Sequence, residues 1–170
     1  VHFIDGVADD LSVQGFIDKT KKIGPNLVAM ECSTPSINND LEIAKKLKEE
    51  LKDTFIILLG SHATFFHNDI LKENLYIDAI ARGEFDYTIR DLALGLQKGK
   101  QQLKEIKGVT YRDGDTIQVN EDRPLIDNLD DLPFPARHIV KSPSYREAVF
   151  TGKTCTTIVS SRGCPHQCIF

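Results

Sequence analysis

Apolar residues recur along this chain in two rhythms. Short unbroken runs form the first: Val1-His2-Phe3-Ile4-Asp5, Asn26-Leu27-Val28-Ala29-Met30, Phe55-Ile56-Ile57-Leu58-Leu59 and Ile77-Asp78-Ala79-Ile80-Ala81. They are too short for helices and are bounded by turn residues, so each predicts a strand. The second rhythm has a spacing of three or four. Phe16, Ile17 and Ile23 follow Ser12, an N-cap residue type, and Gly24-Pro25 ends that helix. Leu41, Ala44, Leu47 and Leu51 share one face of a second helix, capped by Asn38 or Asn39, with the charged run KKLKEELKD as its solvated side. A shorter helix is expected over residues 66–73, and another over 87–97 built on Ile89, Leu92 and Leu96.

The resulting β-α-β-α-β alternation predicts an α/β domain with a parallel sheet and helices on both faces. The texture changes after Gly99. Gly108–Arg112 and Thr116–Val119 flank Asp113-Gly114, a dipeptide suited to the positive φ angles of a type I′ turn, and predict a β-hairpin. Residues 121–150 hold Pro124, Pro133, Pro135 and Pro143 among aspartates and read as a surface linker. Thr156–Val159 is expected as a last strand. The division this predicts is an α/β domain over 1–100, hairpin and linker over 101–150, and the start of a further domain over 151–170.

Composition narrows the function. The chain has 170 residues, 41% hydrophobic and 27% charged, with a net charge of −4. An acidic chain without Lys/Arg clusters is a poor partner for nucleic acid. No apolar run approaches the ~18 residues of a membrane span, and no signal-peptide pattern is present. Four unevenly spaced cysteines do not make a secreted disulfide framework, so a reducing cytoplasm is expected. The chain opens on Val1 rather than Met, inside an expected strand, and both ends read as cut.

The carboxyl end reads Ser160-Ser161-Arg162-Gly163-Cys164-Pro165-His166-Gln167-Cys168-Ile169-Phe170. Two thiolates alone rarely hold a metal. A zinc knuckle needs two further ligands, and a thioredoxin-like site needs C-x2-C at a helix start. Two free thiols is one reading of this C-x3-C pair. The other is the beginning of CxxxCxxC, whose three thiolates bind three irons of a [4Fe–4S] cluster. Its third cysteine would then follow Phe170.

Further segments extend that second reading across nearly the whole chain. Pro25-Asn26-Leu27-Val28, Cys32-Ser33-Thr34-Pro35, Leu59-Gly60-Ser61-His62-Ala63-Thr64, Arg82-Gly83-Glu84, the hairpin Tyr111–Gly114, Asp130-Asp131-Leu132-Pro133-Phe134-Pro135-Ala136 and Ser161–Pro165 occur in order. Together they resemble the cobalamin-binding radical S-adenosylmethionine (radical SAM) proteins, particularly the group around anaerobic magnesium-protoporphyrin IX monomethyl ester cyclase. Leu59 stands where that group has the first glycine of G-G-P-H-A-T, Ser61 where it has proline, and Phe85 where a small residue is common.

The resemblance implies a Rossmann-like, flavodoxin-like sheet whose first strand would precede Val1. Its absence would leave a gap between Val1–Asp5 and Asn26–Met30, open to pairing between chains as a homo-oligomer. It implies cobalamin held by Ser33, Thr34, Gly60, Ser61, His62, Ala63, Thr64, Arg82, Gly83 and Glu84, with Cys164 and Cys168 as cluster ligands. In the intact enzyme the [4Fe–4S] cluster and S-adenosylmethionine would act on a small-molecule substrate, by methyl transfer or radical cyclisation. The piece alone would be inactive.

Blander readings stand beside these. His62 either faces the corrin or hydrogen-bonds the neighbouring turn, and Arg82 and Glu84 either pair with each other or meet the ligand. Cys32 and Cys155 read as packed thiols, His166 as filler, and His67 and His138 as surface residues. Two rival functions remain: a cobalamin-free substrate- or partner-docking module of a radical SAM enzyme, and a flavodoxin-like nucleotide or phospho-signalling domain. The cysteine loop and hairpin have no role in the last.

Overall fold

The computed structural model describes residues 1–140, 158–163 and 166. Cys155, Cys164 and Cys168 lie outside the described residues, as do Thr156 and Thr157 of the expected last strand, while Ile158 and Val159 are not in a strand. The chain divides into two compact units, Val13–Ile126 and a second made of Val1–Ser12 with Asp127–Phe170.

The first unit is built around a five-stranded sheet. Its elements, in chain order, are α1 (Val13–Ile23), β1 (Leu27–Glu31), α2 (Ile37–Glu50), β2 (Phe55–Leu59), α3 (Ser61–Phe65), α4 (His67–Glu73), β3 (Ala79–Ala81), α5 (Asp86–Lys98), β4 (Val109–Asp113) and β5 (Thr116–Val119). The strands lie in the order β1-β2-β3-β4-β5. β1, β2 and β3 run parallel, with Leu27 opposite Phe55, Glu31 opposite Leu59 and Leu58 opposite Ile80. The hairpin strands β4 and β5 continue the same sheet antiparallel, Ala81 facing Val109.

Alternation along β2 explains the layering. All five residues of β2 are buried, and successive side chains enter opposite faces. Ile56 and Leu58 join Ile17 of α1, Ala44 and Leu47 of α2 and Leu71 of α4 on one face. Phe55, Ile57 and Leu59 join Leu92 of α5, Leu103, Ile106 and Tyr111 on the other. Burial on both sides requires an unbroken apolar run, which is why Phe55–Leu59 was the plainest strand in the sequence. Each fully buried aliphatic side chain contributes about 2 kcal/mol.

Val1–Asp5 is not a strand. Val1 is fully exposed and Phe3 half-exposed. The Asp5 carboxylate accepts the N–H groups of Val7 and Ala8, and Asp9 N–H bonds the Asp5 carbonyl. An aspartate that closes its own turn competes with extension, and a five-residue run without a partner strand has no ladder to compensate. β1 therefore has no strand on its outer edge among the described residues.

Two helix starts also differ from expectation. α2 begins after Ser36, not at Asn38 or Asn39, because the Ser33 carbonyl already accepts the N–H groups of Ser36 and Ile37. A separate short helix, α3, precedes the expected one. At the amino end of the sheet, the Asp78 carboxylate accepts the Ile56 N–H and the Lys48 ammonium, both at 2.7 Å, and closes that edge. In the second unit Asn128 caps the short 3-10 turn Leu129–Asp131 and another spans Arg137–Ile139.

Candidate functional site

Because β1, β2 and β3 are parallel, their carboxyl ends share one edge of the sheet. Ligands of open α/β sheets bind outside that edge. Three loop segments occupy it: Cys32–Ser36, Gly60–Thr64, which runs from the N-cap into the first turn of α3, and Arg82–Phe85. They hold all ten residues expected to bind a cofactor.

The first two loops are locked together. Cys32 is buried, its N–H and thiol both directed at the Leu59 carbonyl, at 2.9 and 3.3 Å. Burial pushes that thiol up to about 11, so Cys32 is a packed, inert thiol. Gly60 has φ +104°, and a Cβ there would stand 2.4 Å from the Cys32 carbonyl oxygen. Glycine is thus required by close approach of the chain's own backbone. Ser33 and Ser36 bond each other through their hydroxyls at 3.0 Å, which keeps the first loop turned. His62 Nδ1 meets Thr34 Oγ1 at 3.1 Å, and its ring rests on Phe66 with centroids 4.7 Å apart. Of the two readings of His62, the hydrogen bond to the neighbouring turn is present. Ser33, Thr34 and Ser61 are exposed, His62 is half-buried, and Ala63 is turned fully into the core.

The third loop is held from its flanks. Arg82 and Glu84 do not pair with each other. Arg82 is buried, and its guanidinium donates to the Asp122 carboxylate at 2.7 Å, to the Asn120 carbonyl at 2.6 Å and to the Thr110 hydroxyl. Glu84 accepts the Ile126 N–H at 2.8 Å. Both residues thereby fasten the 120–126 strap that follows β5. Arg123 adds bonds to Thr88 and Asp91, and Asn120 bonds the carbonyls of Leu103 and Ile106. Between the two anchors Gly83 is exposed, and its N–H is given to Thr64 Oγ1 at 3.1 Å.

The edge is therefore lined by neutral hydroxyls, an imidazole and backbone amides, with the Arg82 guanidinium and the Glu84 carboxylate already engaged. Such a surface suits a large neutral ligand rich in amides and hydroxyls better than a small anion. Among the described residues no group of three His, Cys, Asp or Glu side chains comes together to hold a metal ion. No helix among them is long and apolar enough to cross a membrane.

The family model described as the B12 binding domain matches residues 1–93, which contain all three loops. The chain belongs to the B12-binding domain family. The chain is 32% identical, over its whole length and 36% of the relative's, to an uncharacterized methyltransferase, PH0819, of Pyrococcus horikoshii. It is 30% identical, over 99% of its length and 28% of the relative's, to the anaerobic magnesium-protoporphyrin IX monomethyl ester cyclase of Cereibacter sphaeroides. It is 22% identical, over 87% of its length and 22% of the relative's, to the cobalamin-dependent radical SAM methyltransferase TokK of Streptomyces tokunonensis. The chain spans about a third of the length of the first two of these relatives.

The residues present fit the family's ligand class. A corrin carries neutral carboxamides around its rim, and the exposed hydroxyls of Ser33, Thr34 and Ser61 can donate to or accept from them. The sequence did not single out Ser36, Thr110 or Asp122, and read His67 only as a surface residue. Ser36 carried a usable signal, a serine just before a helical run. Asp122 carried none, being forty residues from Arg82. His67 is half-buried, with Nδ1 3.0 Å from the Thr110 hydroxyl. Burial, and then the charge of Arg82, hold it below the ordinary imidazole pKa. His138 is exposed, as expected.

Proposed function

We propose that this domain binds cobalamin along the edge formed by Ser33, Thr34, Gly60, Ser61, His62, Ala63, Thr64, Arg82, Gly83 and Glu84, as the cofactor-binding part of a cytoplasmic radical SAM enzyme. The observation that carries the reading is the coincidence of the B12 family match with three interlocked loops at one sheet edge. Bound cobalamin supplies cobalt–carbon chemistry, and the protein binds and orients it. Ser33, Thr34 and Ser61 would meet its amides through their hydroxyls. Ala63 is confined to a backbone role by its buried methyl group. Arg82 and Glu84 would act through the loop they anchor.

The same reading gives Cys164 and Cys168 a place. With a third thiolate they would hold three irons of a [4Fe–4S] cluster whose fourth iron takes S-adenosylmethionine. The intact enzyme would then methylate a small molecule or close a ring in it, as the names of the relatives suggest for those proteins.

The test is a titration of the protein with hydroxocobalamin, followed by the corrin's visible spectrum and by retention on gel filtration. Stoichiometric retention, weakened in a Thr34→Val, Ser61→Ala double variant, is expected. Absence of retained corrin at saturating ligand would overturn the reading in favour of a cobalamin-free docking module.

A further inference from the structure

The most economical contact at this edge is a single hydroxyl. Thr64 Oγ1 donates to the Gly60 carbonyl at 2.9 Å and accepts the Gly83 N–H at 3.1 Å. Its one proton and one of its two lone pairs are thereby committed. Gly60 belongs to the loop after β2 and Gly83 to the loop after β3, nineteen residues from Thr64. On either side of Gly83 the chain is already fixed, by Arg82 to Asp122 and Asn120 and by Glu84 to Ile126. Gly83 itself has φ +68° and open space where a side chain would stand.

We propose that Thr64 is a positioning residue rather than a ligand contact: its hydroxyl latches the Gly60 and Gly83 loops into one preformed surface, and the open face at Gly83 is where the corrin rim approaches. This rests on the cobalamin reading above. The physical basis is preorganisation. A loop held in its bound shape before the ligand arrives does not lose conformational freedom on binding. Neither flanking anchor can substitute for the latch, because both hold the loop to the strap and neither holds it to Gly60.

Thr64→Val is nearly isosteric and removes both bonds, whereas Thr64→Ser keeps the hydroxyl. The probe is cyanocobalamin, with affinity measured by equilibrium dialysis and the Gly83 amide followed by hydrogen exchange in the ligand-free protein. Expected in Thr64→Val are about tenfold weaker binding and faster Gly83 exchange, with Thr64→Ser recovering both. Binding by Thr64→Val as tight as wild type, or Gly83 exchange unchanged by the substitution, overturns the latch and leaves the cobalamin reading standing. A loss of affinity that Thr64→Ser does not recover also overturns it. Wild-type protein that takes up no cyanocobalamin removes the cobalamin reading, and this inference with it.

Discussion

The loops after β2 and β3 lie at the same edge, and each turns on a glycine with positive φ, yet the two are held in opposite ways. Gly60 is fixed sterically: its backbone presses against Cys32 so closely that a Cβ would stand 2.4 Å from a carbonyl oxygen. A Cβ at Gly83 would meet nothing beyond its chain neighbours within 4 Å, and polar anchors on those neighbours fix it instead. The first loop is part of the sheet's own packing. The second is a loop with free space above it, held by groups outside the sheet's core. A ligand can approach closely only where the protein has left room, so Gly83 marks the more open part of this edge.

The largest effect expected from breaking this contrast is at Gly60. Gly60→Ala places a methyl group against the Cys32 carbonyl and forces a non-glycine residue to φ +104° and ψ 175°. That region is essentially restricted to glycine, and overlap adds to the strain. A loss of about 4 kcal/mol is expected, read as a lower urea midpoint.

Next is Arg82. Arg82→Met keeps the apolar stem and removes the bonds to Asp122, Asn120 and Thr110. Asp122 is 88% exposed, so its half of the ion pair returns to water at little cost. The loss then falls on the Asn120 carbonyl and the packing of the strap, about 2 kcal/mol. If Arg82 served only a ligand, Arg82→Met would leave the urea midpoint of the ligand-free protein unchanged.

These two sites also mark what could be read from sequence. Gly60 and the R-G-E triplet were visible as motifs, and the parallel strands were visible because a doubly buried strand must be an apolar run. The partners of Arg82 were not visible. Asp122 lies in the Pro-containing stretch that reads as linker and Asn120 just before it, and only the folding of β4 and β5 onto β3 brings them to the guanidinium. Val1–Asp5 erred in the other direction. Its composition suits a strand, but a strand depends on a neighbour, which composition does not encode. The helix start at Ser36 was missed because a serine pair, not the asparagines, supplied the first acceptors.

Gly83→Ala is the counterpart of the Gly60 variant. With no steric contact to relieve, only the left-handed backbone opposes it, at about 1 kcal/mol. A cost equal to that of Gly60→Ala would erase the distinction between the loops. If the corrin rim lies against Gly83, the same methyl group weakens cobalamin binding by more than its effect on the urea midpoint accounts for.

The smallest effect is a pH dependence at the buried end of the Arg82 network. Arg82 donates to the Thr110 hydroxyl, which leaves that hydroxyl free to donate to His67 Nδ1. The imidazole is then an acceptor and is held neutral. Burial and the neighbouring guanidinium keep its pKa below the ordinary 6.5, against smaller opposing contributions from Asp122 and Asp69. The unfolded chain therefore binds a proton before the folded one does. Stability is complete above about pH 7 and begins to fall as pH drops through 6.5, continuing until the folded-state pKa is passed. Asp91, whose carboxyl Arg90 and Arg123 hold below its ordinary 3.8 although burial alone would raise it, contributes its own loss only at more acid pH. Urea midpoints measured between pH 7.5 and 5 should decline for wild type and decline less for His67→Asn, which keeps an acceptor for Thr110 but cannot take up the proton. Equal slopes for the two proteins would mean that His67 titrates alike in the folded and unfolded chains, and would detach it from the anchor that holds the Gly83 loop.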